Sequence, residues 1–245
     1  MITLLLFFLL FLSPPEPPSS LEAADREFKN MNYRRAIALY ESAMPTTSDS
    51  VAVFWRLARV WICAGDTTAD KRKPGFYKKA ESYARRAVRA DSNSSQGHSW
   101  LAAAIGNVAM FEGGSTKVKL AHAIKREVDR AIALDNKNDV AYSILGSFHR
   151  AIGDVSWIEK QLANIFLGGL PDGGYAEAET AFRRAIELAP DVIRNHSELG
   201  KVYMSVDRNQ EAIREFQKAR SLPVGVAMDV YLQREAEELI KELED

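Results

Sequence analysis

Residues 175–219 read YAEAETAFRRAIELAPDVIRNHSELGKVYMSVDRNQEAIREFQKA, and this stretch holds one chemical pattern twice. Tyr175, Ala178, Phe182, Ala185 and Pro190 are followed by Leu199, Gly200, Tyr203, Ala212, Phe216 and Ala219. The pairs Ala178/Ala212, Phe182/Phe216 and Ala185/Ala219 each recur after about 34 residues. Small Ala and Gly positions let two antiparallel helices approach closely, aromatic and Leu side chains fill the space between them, and Pro190 ends one unit before the next begins. The expected architecture is all-α, with helix pairs that bury their apolar faces on their neighbours.

That period, with those residue types, is the mark of a tetratricopeptide repeat, so the predicted fold is a tetratricopeptide-like superhelix. The repeat specifies an architecture, and function must come from what decorates it. A chain of 245 residues with 47% apolar residues can bury a sizeable core. Its formal charge of −1 gives no overall attraction to nucleic acid or to an acidic partner, which leaves electrostatic function to local patches. Cys63 is the sole cysteine, so neither a disulfide framework nor a Cys-based zinc site forms within the chain. Its place in an apolar helical pattern reads as a buried thiol.

Residues 1–20 are a different material. Met1 to Leu12 is almost wholly apolar, and Ser13 to Ser20 is a Pro- and Ser-rich tract that cannot continue a helix. Twelve residues reach about 18 Å as a helix, short of the roughly 30 Å hydrocarbon core of a bilayer. The stretch is expected to be an export signal or anchor, placing the protein in the periplasm or cell envelope. No Lys or Arg precedes the apolar run, and a mis-called start codon would instead make the protein cytoplasmic.

Residues 21–245 parse as one repeat domain, with units near 21–50, 51–94, 95–138, 139–192 and 193–226 and a closing helix over 228–244. The first unit, with Tyr33, Ala36, Tyr40 and Ala43, reads as a cap. Extra residues fall between helix A and helix B of the next three units, at 66–76, about 107–119 and 151–174, and are expected to gather along one rim of the stack. The first insertion, with Lys71, Arg72, Lys73, Pro74 and Gly75, reads as a mobile basic loop. The second lengthens helix B at its start. In the third, Asp154 to Glu159 reads as a capped helix start, with Trp157, Ile158, Leu162, Ile165 and Phe166 on its buried side.

The irregular segments carry a more specific likeness. Ala141 to Phe148, then Ser156-Trp157-Ile158-Glu159-Lys160-Gln161-Leu162-Ala163, then Tyr175 to Ala178 closely resemble the regulator of microtubule dynamics family. The likeness extends to His98-Ser99-Trp100, the segment Lys117 to Lys125, and Leu222-Pro223, and it covers most of the chain from about Val51. It departs at Ser147-Phe148, where the family often has Arg-Trp. With the export-like start, it suggests a bacterial-type exported relative. The resemblance implies a non-enzymatic protein. Members of the family are described as microtubule-associated or as membrane-contact tethers, and one repeat domain as binding phospholipid.

No catalytic, cofactor or metal constellation stands out. His98, His122, His149 and His196 are dispersed, with no i, i+4 pair and no His-Glu-x-x-His arrangement, and read as packing or surface residues. The Gly pairs at 113, 168 and 173 lack a preceding strand and a phosphate-loop Lys, so they are turn punctuation. Asn93-Ser94-Ser95 and Asn195-His196-Ser197 match the glycosylation triplet. Basic residues are balanced by acids and not interleaved with stacking aromatics, which argues against a nucleic-acid partner.

The concave face of helix A is the candidate binding surface. Its groove positions give Trp55, Arg56 and Arg59; Gln96, Ser99 and Trp100; Ser143 and Ser147; and Arg194, Ser197, Glu198 and Lys201. Guanidinium forks bind carboxylate or phosphate, and Trp supplies an apolar wall. The expected partner is a protein or peptide segment. The alternative is an anionic lipid or amphiphile in the same groove, roofed by the insertion around Trp157.

Overall fold

In a computed structural model of the chain, residues 20–44 and 50–244 are described, and the apolar start lies outside them. The six recurring positions Ala178, Phe182, Ala185, Ala212, Phe216 and Ala219 are all at 0% exposure. A Cβ on Gly146 would sit 2.7 Å from the Phe182 ring, and one on Gly200 2.5 Å from Phe216. The same small-against-aromatic contact thus sets helix spacing in two successive units, because only Gly leaves room for the ring.

The helix pairs are α1 (Ser20–Lys29) with α2 (Tyr33–Ala43), α3 (Ser50–Asp66) with α4 (Lys73–Ala90), and α5 (Ser95–Ala109) with α6 (Gly114–Leu134). Then α7 (Asp139–Gly153) pairs with α9 (Tyr175–Leu188), with α8 (Trp157–Leu167) inserted between them. Finally α10 (Ile193–Met204) pairs with α11 (Asn209–Ser221), and α12 (Ala227–Glu244) closes the stack. The turns leading into α5 and α7 are built alike. Asp91 and Asp135 each accept a backbone N–H two residues on, at 2.9 Å in both, and Ser94 and Asn138 cap the next helix. The A helices α3, α5, α7 and α10 touch one another in turn, and α12 returns to α3. The Ala227 N–H donates to Tyr33 Oη at 2.9 Å, tying the closing helix to the first unit.

The first insertion is not a loop through Pro74 and Gly75. A short 3-10 turn at Asp70–Arg72 leads directly into α4, and Pro74 lies in its first turn. There the N–H groups have no intrahelical acceptor, so the imide nitrogen costs nothing. The second insertion lengthens α6 at its start, as expected. The insertions adjoin one another. The Tyr77 and Phe111 rings are 6.0 Å apart, and His122 of α6 reaches the Gly169 carbonyl behind α8 at 3.1 Å.

Helix α8 begins as the sequence indicates. Ser156 Oγ accepts the Glu159 N–H, and the Glu159 carboxylate accepts the Ser156 N–H at 3.0 Å, a complete capping box. Gly168, at φ +81°, ends the helix in the left-handed conformation. Its orientation reverses the expectation. Trp157, Ile158, Leu162, Ile165 and Phe166 are exposed, and Ala163 is buried. The helix meets α6 through its small residue, because a large apolar side chain there would hold the two axes apart.

Candidate functional site

The first site residues all serve one carboxylate. Asp25 of α1 accepts from Arg56 Nε at 3.1 Å, from Arg59 Nη2 at 3.2 Å, and from the Tyr40 hydroxyl. Arg56 stacks over Trp55 at 4.2 Å, and Arg59 over Phe28 at 3.9 Å. Burial, then the hydrogen bond to Asp25, hold the Tyr40 hydroxyl protonated well above its ordinary range. Trp55, Arg56 and Arg59 are therefore assembled, and their charge faces Asp25.

Ser99 is interior. Its hydroxyl donates to the Ser95 carbonyl at 3.0 Å and accepts from Asn138 Nδ2 at 3.0 Å, so it links two units. Trp100 packs between units beside Trp61, and the indole nitrogens of both are buried without a partner. Ser197 occupies the place in α10 that Ser99 has in α5. It too is fully buried, with no hydrogen bond to its hydroxyl.

Arg194 and Lys201 stand at a second cluster. Lys201 Nζ reaches Glu235 at 2.8 Å and Glu198 at 3.4 Å, while Arg150 Nε donates to Glu198 at 2.8 Å. Burial pushes the Glu198 carboxyl up, but the neighbouring Arg150, Lys201 and Arg194 charges outweigh it and hold the group below its usual range. Arg194 is 44% exposed and lies 3.7 Å from Asp66. Burial leaves the Asp66 carboxyl above its usual range despite Arg194, Tyr77 and Lys73. The structure thus gathers the eight residues into two charged clusters and an interior seam, with Arg194 and Asp66 joining α10 to α3.

Asp25, Arg150 and Glu235 escape a reading of groove positions. Asp25 belongs to a capping helix with few large residues, Arg150 lies one turn beyond Ser147, and Glu235 belongs to the closing helix. The missed signal was charge complementarity between units.

Two of the histidines, His98 and His196, are structural braces. His98 Nδ1 meets Glu127 at 2.7 Å and Nε2 meets the Ser92 carbonyl at 3.0 Å; His196 meets Glu215 at 2.7 Å and the Pro190 carbonyl at 2.9 Å. Each pins the start of an A helix to its own B helix. Burial pushes the His149 imidazole below its ordinary value. Asn195 is buried, so the triplet it begins is closed to a glycan, whereas Asn93 is exposed. A cleft of about 720 Å³ between α7 and α9 is lined in part by Tyr142, His149, Arg183 and Arg184. Its cations are paired at 2.9 Å (Arg183–Glu179) and 3.0 Å (Arg184–Glu187).

Stacked A/B helix pairs with small-against-aromatic contacts define a tetratricopeptide-repeat protein. Residues 20–244 match the family model described as Regulator of microtubule dynamics protein 1-3, and the chain belongs to that family. It is 28% identical over 201 residues to Regulator of microtubule dynamics protein 1 of Bos taurus, covering 81% of this chain and 63% of the relative. It is 30% identical over 192 residues to the Rattus norvegicus protein 1, covering 76% and 61%. The Homo sapiens protein 2 is 28% identical over 200 residues, covering 80% and 48%. The chain thus spans less than two thirds of each of these relatives. Among solved structures, a thermophilic TPR protein of Thermus thermophilus is similar with a TM-score of 0.67 at 16% identity, covering 91% of this chain and 97% of that one. Yeast Tom70 is similar with a TM-score of 0.57 at 13% identity, covering 92% and 39%.

Proposed function

We propose that this chain is a non-enzymatic repeat scaffold that binds a protein or peptide segment along the face of its A helices. The continuity of that face carries the reading. Since α3, α5, α7 and α10 touch one another in turn, side chains from four units share one surface. A stack of this kind enlarges recognition area without adding chemistry. Its cations rest on the chain's own carboxylates Asp25, Asp66, Glu198 and Glu235. An acidic segment binds by replacing an internal carboxylate, and Arg194 is the easiest exchange because its contact is the longest and its side chain the most exposed.

Acidic peptides selected on the full chain should bind an Arg194→Glu variant about tenfold more weakly, since each charge-assisted contact is worth about 1.5–3 kcal/mol. Fluorescence anisotropy reads this directly, and unchanged affinity in a normally folded variant would reject the face. Microtubules are the first protein partner to assay, because the matched relatives carry that name. Helix α8, the expected cover for an amphiphile on the same face, packs on α6.

A further inference from the structure

Helix α8 turns its apolar side away from the rest of the protein. It packs on α6, with Ala163 buried. At 3.6 residues per turn, Trp157, Ile158, Leu162 and Ile165 fall on the opposite half of the helix, and Phe166 flanks them. They are 74%, 64%, 50%, 69% and 73% exposed. Met110 and Phe111, in the turn before α6, are exposed as well. An exposed apolar helix side of this kind marks an interaction site.

The ground beside it is basic. Between Gly113 and Arg126 there are four basic residues, Lys117, Lys119, Lys125 and Arg126, and no acid. Lys125 and Arg126 are paired with Asp129 and Glu127. Lys117 and Lys119, with Lys160 on α8 itself, are in no ion pair among the described residues. The start of α8 lies near Lys117: the carboxyl of Glu159 is lowered by its hydrogen bonds with Ser156 and then by the charge of Lys117. The other end is held by His122 and the Gly169 carbonyl. Lys117 and Lys160 therefore stand beside the apolar ridge, and Lys119 lies two residues further along α6.

We propose that α8 docks the protein on an anionic lipid bilayer surface. The five apolar side chains enter the boundary between headgroups and acyl chains, while Lys117, Lys119 and Lys160 lie among the lipid phosphates. An interfacial helix combines an aromatic and aliphatic face with nearby cations in this way. No helix among the described residues is long and apolar enough to cross a membrane, so the contact is in the plane of the interface. Charge decides against a second copy. A two-fold interface sets one patch against itself, which would bring the lysine fringe of one protomer onto that of the other. An anionic surface neutralises the same fringe. This docking is independent of the peptide face, which is built from other helices.

The test uses the full chain and vesicles of phosphatidylcholine, alone or with about 30% phosphatidylglycerol, whose acyl chains carry bromine. Trp157 fluorescence should be quenched by the anionic vesicles, and Trp157→Phe should remove most of that quenching, because Trp55, Trp61 and Trp100 belong to α3 and α5. Ile165→Ser with Phe166→Ser should weaken partitioning about tenfold or more. Lys117→Glu with Lys119→Glu should abolish the preference for anionic vesicles. Unaltered helicity and melting would show that these variants remain folded. The proposal fails if anionic vesicles leave the emission unchanged, or if quenching survives Trp157→Phe. It also fails if the protein is a dimer in vesicle-free buffer and the Ile165/Phe166 variant breaks it, which assigns the face to a second copy.

Discussion

Helices α11 and α8 are similar in length and both are amphipathic, but they use their apolar faces in opposite ways. In α11, Ala212, Ile213, Phe216 and Ala219 are buried. In α8 the large apolar residues are outside, and Ala163 makes the contact. The difference lies in the partners. Gly200 on α10 leaves a space that the Phe216 ring fills, and α12 covers the other side of α11. For α8 the main partner is α6, whose apolar residues Val118, Ala121, Ile124 and Val128 are already committed to the core. Amphipathicity creates a face, and the neighbour's shape decides where it points.

The largest contrast should come from two Phe residues. Phe216→Ala should destabilise the fold by about 3–5 kcal/mol in urea or thermal unfolding, through lost burial and a cavity. Phe166→Ala should change stability by no more than about 0.5 kcal/mol, because its ring is already in solvent. Equal losses would contradict the outward orientation of α8.

The histidine braces come next. His196→Ala removes two hydrogen bonds of a buried side chain, one of them to a carboxylate, and should cost about 2–3 kcal/mol. His98→Ala should cost a similar amount if the two braces work alike, and unfolding curves of both variants check this.

Acid titration of the unfolding free energy should separate the well-packed unit from α8. The Glu198 carboxyl is held below its ordinary value in the folded state. Its stabilising contribution is therefore present above the ordinary carboxylate range and is lost as pH falls through the folded value. Glu198→Gln should lower stability at neutral pH and flatten the acid limb, and an acid limb unchanged by this substitution would contradict the pairing.

The smallest effect concerns the start of α8. Ser156→Ala breaks the capping box and should cost about 1 kcal/mol, confined to that helix. Hydrogen exchange of the α8 amides should quicken while those of α11 do not change, and a shared response would mean that α8 unfolds only with the stack.

Much of the fold is legible in the sequence. Ala178, Phe182, Ala185 and their partners a repeat later carry period and packing together, because a close helix crossing admits only small residues facing large ones. The capping box of α8 was legible for the same local reason. Pro74 reads as a helix breaker from residue type alone, but in the first turn of α4 its missing N–H has no acceptor to lose. The site was less legible. Trp55, Arg56 and Arg59 were found as a group, but Asp25 lies 31 residues before Arg56, on a helix with few large residues, so nothing local joins them.

By itself, the sequence determined the repeat, the helix pairs, the places where segments are inserted, and the likeness to a family, because all of these rest on residue type at short, regular spacing. Tertiary structure alone decided that α8 shows its apolar side to solvent, that the cations of the A-helix face meet carboxylates from other units, and that Ser99 and Ser197 are interior. Those outcomes depend on which surfaces remain uncovered once helices from distant parts of the chain have packed, and no local spacing encodes that.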